Sequence, residues 1–241
     1  MREERSIVVD GISRTVVISD EREALLAADA AGRASVAVWD GTAGEFLPAL
    51  FAVERPEDAD EELLERAVRR KLGLPWVIAV TKRLLIREFT EEDFAEIPKN
   101  ESAGPGDGIF SDREKLSAYI RQQYGFCQYG IWAAVERESG RLAGKLGFSP
   151  AEGEDGLEIG YHIFKPWRGK GYALEGCLAA LAWEERELNL PVRARIKREN
   201  IPSLCLAERL GFVREREENG LVILLREPQK TEKEPPRDSC H

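Results

Sequence analysis

The chain has 241 residues, 43% of them hydrophobic, and a formal net charge of −9. That length can bury one sizeable core or two modest ones, and the acidic balance argues against non-specific nucleic-acid binding, which needs a concentrated excess of Lys and Arg. No stretch approaches the roughly 20 unbroken apolar residues of a membrane span, and MREERSIVVD carries charges where a signal peptide needs its apolar core. A cytoplasmic protein with no membrane partner is therefore expected. Cys127, Cys177, Cys205 and Cys240 form no CxxC or Cys/His cluster, so neither a disulfide framework nor a metal site is predicted.

In residues 1–76, RTVVISD reads as a strand, EREALLAADAAG as a helix ending at Gly32 and ASVAVWD as a second strand, a βαβ pattern. A turn around Gly41 to Gly44, an apolar run LPALFAV and a helix ADEELLERAVRRKLG stopped by Gly73 and Pro75 follow. No GxGxxG or GxxxxGK[ST] occurs here, and Asp20 and Asp40, at strand ends, read as helix-cap or turn residues. The segment resembles a truncated half of a haloacid-dehalogenase-like Rossmannoid domain, without the motif that carries that family's nucleophile.

Residues 77–227 read as a second domain. TKRLLIREFT alternates as a strand, and Thr90 and Asp93 suit a capped helix start in EEDFAEI. PKNESAGPGDGIF is a loop, DREKLSAYIRQQYG an amphipathic helix, and GIWAAVERESGRLAGKLGFSP a hairpin turning near Glu138 to Arg141. LEIGYHIF gives a strand, GYALEGCLAALAWEERELN a long helix, PVRARIK a strand and IPSLCLAERLG a helix stopped by Gly211. FVREREENGLVILLRE folds back at Asn219-Gly220, and residues 228–241 form a charged tail expected to be disordered.

The chemistry-bearing stretch is KPWRGKGYALEGCLAAL. A strand gives way through Arg168, Gly169, Lys170, Gly171, Tyr172 and Ala173 to an apolar helix, and backbone N–H groups at such a turn, with those of the first helical turn, form a concave anion site. A tight turn needs glycine for steric reasons alone, so this signal by itself is modest. It resembles motif A of the GNAT acetyltransferase superfamily, Q/R-x-x-G-x-G/A, matched by Arg168, Gly171 and Ala173. Downstream, Asn200, Ser203, Glu208, Leu210, Gly211 and Phe212 resemble that superfamily's N-x-x-[AS]-x-x-x-x-E-K-x-G-F element, and PWRGKGYA with N-x-x-S is similar to its Rim-type branch, which acetylates protein N-termini and includes small-amine acetyltransferases.

The resemblance covers about residues 81–226 and implies a mixed, mainly antiparallel sheet flanked by helices, preceded by the small βαβ domain. It implies acetyl-CoA as co-substrate, without a metal. Its pyrophosphate would lie against residues 168–173 and its pantetheine arm near Asn200. Backbone N–H groups of Tyr161, His162 and Ile163 would hold the thioester oxygen between two splayed strands. The acceptor is a primary amine, a small molecule or a protein N-terminus, attacking directly in a ternary complex. Many superfamily members carry a Tyr general acid where this chain has Ala207, so Ser203 is the first candidate for that role, with Cys205 behind it; a hydroxyl there reads equally well as a helix cap. Glu158, before an expected bulge at Ile159-Gly160, is the candidate base.

His162 ranks below Glu158, since alternation puts it on the face opposite Tyr161. Trp132 and Tyr129 read as cleft lining or core, and Arg193, Arg195, Lys197 and Arg198 as a solvated face or a contact for the coenzyme's 3′-phosphate. The edge strands of the last hairpin can pair two subunits as a homodimer. A non-catalytic acyl-CoA-binding module is the competing reading.

Overall fold

A computed structural model describes residues 2–39, 41, 47–99, 101 and 107–229. Asp40, part of the Gly41 to Gly44 turn, part of the loop after Pro98 and the tail beyond Gln229, with Cys240, lie outside the described residues. The chain divides into two compact units, residues 1–76 with 120–128 and residues 77–119 with 129–241.

The first unit is a four-stranded sheet in the order β1-β2-β3-β4: β1 (Arg2–Val9), β2 (Ile12–Ser19), β3 (Ala34–Val38) and β4 (Phe51–Val53). β1 and β2 form an antiparallel hairpin, whereas β2, β3 and β4 run parallel. Helix α1 (Arg22–Ala30) connects β2 to β3, and α2 (Glu61–Leu72) follows β4. Val16 and Ile18 pack with Val36, Leu64, Ala67 and Val68. Val17 is also fully buried, as expected of a strand covered on both faces. Asp60 caps α2 by accepting the Leu63 N–H at 2.8 Å, and Gly73 closes it in a left-handed conformation. The N-cap position of α1 is Glu21 rather than the expected Asp20.

The strand β1 was not expected from the sequence, because it opens on four consecutive charged residues, Arg2 to Arg5, and its apolar residues, Ile7 to Val9, come as a run without alternation. Its partner β2 supplies the buried face. Of residues 120–128, Ile120–Cys127 form a π-helical segment, continuing from α4 (Arg113–Tyr119) and following α3 (Asp107–Phe110). The uniform amphipathic helix read from DREKLSAYIRQQYG is thus two helical types.

The second unit is an eight-stranded sheet, order β11-β12-β10-β9-β8-β7-β6-β5. Its strands are β5 (Val77–Val80), β6 (Leu84–Arg87), β7 (Ile131–Glu136), β8 (Leu142–Pro150), β9 (Leu157–Ile163), β10 (Val192–Lys197), β11 (Val213–Glu218) and β12 (Leu221–Arg226). All its pairings are antiparallel except β9 with β10. This is the mixed, mainly antiparallel sheet flanked by helices that was expected.

β5 is an addition: VIAV, assigned no element from the sequence, forms a hairpin with β6. The helix expected at EEDFAEI is a single 3-10 turn, Glu92–Ala95, in which Asp93 accepts the Thr90 N–H at 2.7 Å and pairs with both terminal nitrogens of Arg87. α5 (Tyr172–Glu187) crosses between β9 and β10, and α6 (Ile201–Arg209) lies between β10 and β11. Trp132 is fully buried, edge-on to Trp183 and Phe148, which makes it core and not cleft lining. No described helix is long and apolar enough to cross a membrane.

Candidate active site

The site begins where the sheet comes apart. β9 and β10 pair only at Leu157 with Val192 and Glu158 with Arg193, after which β9 runs on to Ile163 and β10 to Lys197 without pairing. Gly156 pins the start of the pair: its φ is +101°, and a Cβ there would lie 2.1 Å from the Pro191 carbonyl oxygen, which accepts the Leu157 N–H at 2.9 Å. β9 keeps unbroken register with β8 through Ile159 and Gly160, so the expected bulge is absent. The strands part because β10 leaves, not because β9 buckles.

Between them lies a cleft of about 760 Å³. One wall is Glu158 to Ile163, the facing wall Ala194 to Lys197 with Asn200, Pro202, Ser203 and Leu206, and one end the turn through Trp167, Arg168, Gly169, Gly171, Tyr172 and Ala173. At that end Gly171 is the N-cap of α5 with φ +81°, and no side chain caps the helix. The first-turn amides therefore face outward with the positive end of a 16-residue helix dipole behind them, an arrangement that attracts an anion.

The turn is braced from outside. Arg83 donates to the Lys170 carbonyl at 2.7 Å, pairs with Glu175 at 2.6 Å and stacks over the Tyr172 ring at 4.4 Å. The Tyr172 hydroxyl donates to Glu136, and hydrogen bonds from Tyr172, Ser139 and Trp167 hold the Glu136 carboxyl down at about 2. Arg168 turns inward: Nε donates to the Ile163 carbonyl at 2.7 Å and Nη2 to Glu101 at 2.8 Å.

Glu101, only 7% exposed, also accepts the Lys165 N–H at 2.9 Å and lies 3.0 Å from His162 Nε2. Burial works to raise its pKa, but the Lys165 amide, His162 and Arg168 outweigh it and hold the carboxyl below its ordinary value.

At the other end Glu158 is partly buried, with Oε2 3.6 Å from Arg195 Nη1. Burial pushes its carboxyl above the ordinary value. Arg195 opposes that and Glu152 and Glu154 add to it. A carboxyl shifted this way is better matched to taking a proton near neutral pH. On α6, Asn200 is the N-cap and accepts the Ser203 N–H at 3.3 Å, so Ser203 is not the cap.

Residues 83–213, more than half of the chain, match the family described as acetyltransferase (GNAT) domain. The chain is 32% identical over 142 residues to the uncharacterized N-acetyltransferase YnaD of Bacillus subtilis strain 168, a match that covers 56% of this chain and 82% of that one.

The chain belongs to the GNAT acetyltransferase family.

Among solved structures, a GnaT-family acetyltransferase from Bordetella pertussis is similar at 25% identity with a TM-score of 0.51, over 61% of this chain and 96% of that one. The fold is also shared with a ribosomal-protein-S5-alanine acetyltransferase from Vibrio fischeri, at 16% identity and a TM-score of 0.52 over 65% and 98% of the two chains.

This GNAT domain gathers around one cleft nearly all the residues singled out in its sequence. Glu158, Tyr161, His162, Ile163, Arg168, Gly169, Gly171, Tyr172, Ala173, Asn200 and Ser203 line it; Lys170 does not, being exposed with its carbonyl held by Arg83. The basic stretch on β10 is largely spent on protein carboxylates. Arg193 pairs with Glu154 and Glu215, and Arg195 with Glu154 and Glu158. Cys205 is exposed on α6 and does not line the cleft. Sequence reasoning missed Glu101, Arg83 and Glu136, which carry no local motif and come to the turn from distant loops and strands.

Proposed function

We propose that the chain transfers an acetyl group from acetyl-CoA to a primary amine, either a protein N-terminus or a small-molecule amine, by direct attack in a ternary complex. The observation that carries this reading is the parting of β9 and β10 after two residue pairs. Facing strand edges left unpaired within a sheet cost free energy unless something hydrogen-bonds to them, and the pantetheine arm carries amides that can. The residues fit that ligand: an uncapped α5 N-terminus with left-handed Gly171 suits a pyrophosphate, and a cleft of about 760 Å³ lies within the usual range of cofactor sites.

In this reading Arg168, Gly169, Gly171, Tyr172 and Ala173 hold the pyrophosphate, chiefly through main-chain amides, and Lys170, outside the cleft lining, adds only charge nearby. Arg168 positions the turn through Ile163 and Glu101. Asn200, its oxygen engaged as a cap, offers its amide nitrogen toward the pantetheine arm. Of the three expected main-chain donors, the N–H groups of Tyr161 and Ile163 share the β10 side with that of Leu157 and stabilise the oxyanion, whereas that of His162 is on the β8 side with that of Phe164. Glu158 takes the amine proton, directly or through water, and the Ser203 hydroxyl donates toward the departing sulfur. The thioester supplies the activated acyl group.

The assignment extends to the rest of the chain. Residues 77–227 form the acetyltransferase domain, in a cytoplasmic protein of the Rim-type branch. Residues 1–76 form a separate small Rossmannoid-like domain, and the β11–β12 hairpin edge offers a homodimer contact. Titration with acetyl-CoA by calorimetry, followed by a turnover screen over N-terminal peptides, polyamines and aminoglycosides, tests the reading. No binding at millimolar acetyl-CoA refutes it. Binding without turnover of any amine favours an acyl-CoA-binding module instead.

A further inference from the structure

One polar group in the cleft has no part in the roles above. Tyr161 lines the cleft, yet its hydroxyl oxygen is shielded from solvent and completes no hydrogen bond. A buried hydroxyl without a partner is costly, so its presence in a cleft marks a group that a neighbour or ligand completes. Its surroundings point to what it awaits. The Ser203 hydroxyl is near enough to favour the ionised phenol without meeting hydrogen-bond geometry, while burial, first, and the buried Cys177 thiol oppose ionisation and carry it up to about 12. The phenol is thus a donor, protonated across the working pH range. Ser203, relieved of capping by Asn200, faces the same cleft.

The chemistry of the leaving group supplies the link. A serine hydroxyl is a poor acid by itself, because full proton loss leaves an alkoxide far more basic than a thiolate, whose thiol ionises near pH 8.5 in an ordinary cysteine. A phenol donating to the serine oxygen polarises the serine O–H toward the sulfur without either oxygen losing its proton. We propose that Tyr161 is a positioning residue for coenzyme departure, its hydroxyl backing that of Ser203 so that the two act as one donor to the coenzyme sulfur. This rests on the reading of the cleft as the acetyl-CoA site.

The step balances as follows. The amine lone pair forms an N–C bond to the thioester carbonyl carbon, and the C–S bond breaks with its electron pair on sulfur. The amine proton passes to Glu158. The sulfur leaves as a thiolate that accepts the Ser203 hydrogen bond, the Ser203 oxygen accepts that of Tyr161, both oxygens keep their protons, and as the products leave the thiolate takes a proton from water while Glu158 releases one. The same relay accounts for the absence of a hydroxyl at Ala207, since the donor arrives from β9.

The test uses coenzyme A itself, in its free-thiol form, bound to the full chain and to Tyr161→Phe, Ser203→Ala and the double variant. Ultraviolet absorbance of the thiolate gives the pH at which the bound thiol ionises. Two donors facing the sulfur lower that pH in the wild type. Each single variant raises it, and the double variant raises it no further than the worse single one, as for groups acting as a unit. Affinity for desulfo-coenzyme A, which has no sulfur to contact, stays within about threefold in all four, and acetyl-CoA turnover falls about 10²-fold in Tyr161→Phe. A bound thiol that titrates in Tyr161→Phe as in wild type overturns the inference. So does a loss of desulfo-coenzyme A affinity matching the loss of turnover, which marks a packing role. Failure of the wild-type chain to bind coenzyme A is a different result: it removes the acetyl-CoA reading, and the Tyr161 inference with it.

Discussion

Replacing Glu158 by Gln keeps the side chain's size and removes its charge, which separates chemistry from packing. General bases contribute about 10²–10⁴ in rate, or about 3–5 kcal/mol of barrier. The structure indicates that the fold will tolerate the change. Arg195, 3.6 Å from Glu158, keeps Glu154 at 3.3 Å and the Glu152 carbonyl at 2.8 Å, so its charge is not stranded.

The sign of the stability effect follows from burial. Glu158 titrates above its ordinary value in the fold, so the folded state holds that proton more tightly than the unfolded chain. Ionised Glu158 therefore disfavours the fold at pH values above its folded pKa, and the penalty disappears below the unfolded value near 4.5. Glu158→Gln should be at least as stable as wild type at neutral pH, with the difference closing as the pH falls toward about 4. Initial rates with acetyl-CoA and the best amine from the screen, from about pH 5 to about pH 9, together with thermal unfolding, read out both effects. Wild-type kcat/KM should show an acidic limb that is missing in the variant. A variant that retains more than about a third of wild-type turnover, or that loses stability at neutral pH, refutes the assignment.

The strain at Gly171 (φ +81°) predicts that Gly171→Ala costs about 1–2 kcal/mol in stability, since its Cβ would meet only Arg83 Nη2, at 3.5 Å. Acetyl-CoA affinity should fall about tenfold in the same variant by calorimetry, and unchanged affinity speaks against a pyrophosphate on this turn. Gly156→Ala should destabilise by about 3 kcal/mol or more in urea, because its Cβ would lie 2.1 Å from the Pro191 oxygen; a cost under about 1 kcal/mol contradicts the pinned apex.

Glu101→Gln should lose on the order of 1–2 kcal/mol at neutral pH. Its folded pKa is lowered, so that contribution is present above the unfolded value of about 4.5 and fades as the pH drops through the folded one; chemical denaturation at several pH values checks this. A chain beginning at Val77 should bind acetyl-CoA within about threefold of the full chain, because every residue lining the cleft belongs to the second unit. It should also be less stable, because residues 120–128 belong to the unit that was removed, and a tenfold loss of affinity in a folded truncation counts against the assignment.

The second unit was readable because its strands announce themselves by alternation and its turns by glycine. LEIGYHI, the Gly171 turn and Asn219-Gly220 each carry their conformation locally. What escaped depends on partners distant in sequence. β1 is the exception: its partner β2 is the next strand, joined through Asp10-Gly11 with both residues at positive φ, a local hairpin signal that went unread beside the charged run that opens the strand. Glu101 sits in a loop of Gly and Pro, where nothing local distinguishes a carboxylate that organises Arg168, His162 and Lys165 from one that meets solvent. Ser203 was read equally as cap or donor, since both need a hydroxyl at a helix start. Asn200, three residues earlier, takes the amide and so removes the cap reading. The bulge at Ile159-Gly160 was an inference from glycine in a strand, and continuous pairing with β8 removes it.

The anion site and the gap arise from one topological event. Six of the seven pairings in the second sheet are antiparallel, but β9 and β10 run parallel, and a parallel pair needs a crossover. α5 is that crossover, so its N-terminus necessarily starts just beyond the carboxyl end of β9, the edge where ligands bind in sheets that change direction. The same strand end is where pairing with β10 has already failed, so unpaired strand amides and uncapped helix amides line one continuous path from Glu158 to Gly171. A long ligand with amides along its length and phosphates at one end fits such a path; a compact one would leave most of it unsatisfied. Closing the gap with one more β9–β10 residue pair would satisfy the strands and shut the cleft at its Glu158 end. Gly156 sets where that pairing begins, its backbone lying too close to the Pro191 carbonyl for a side chain to stand between them.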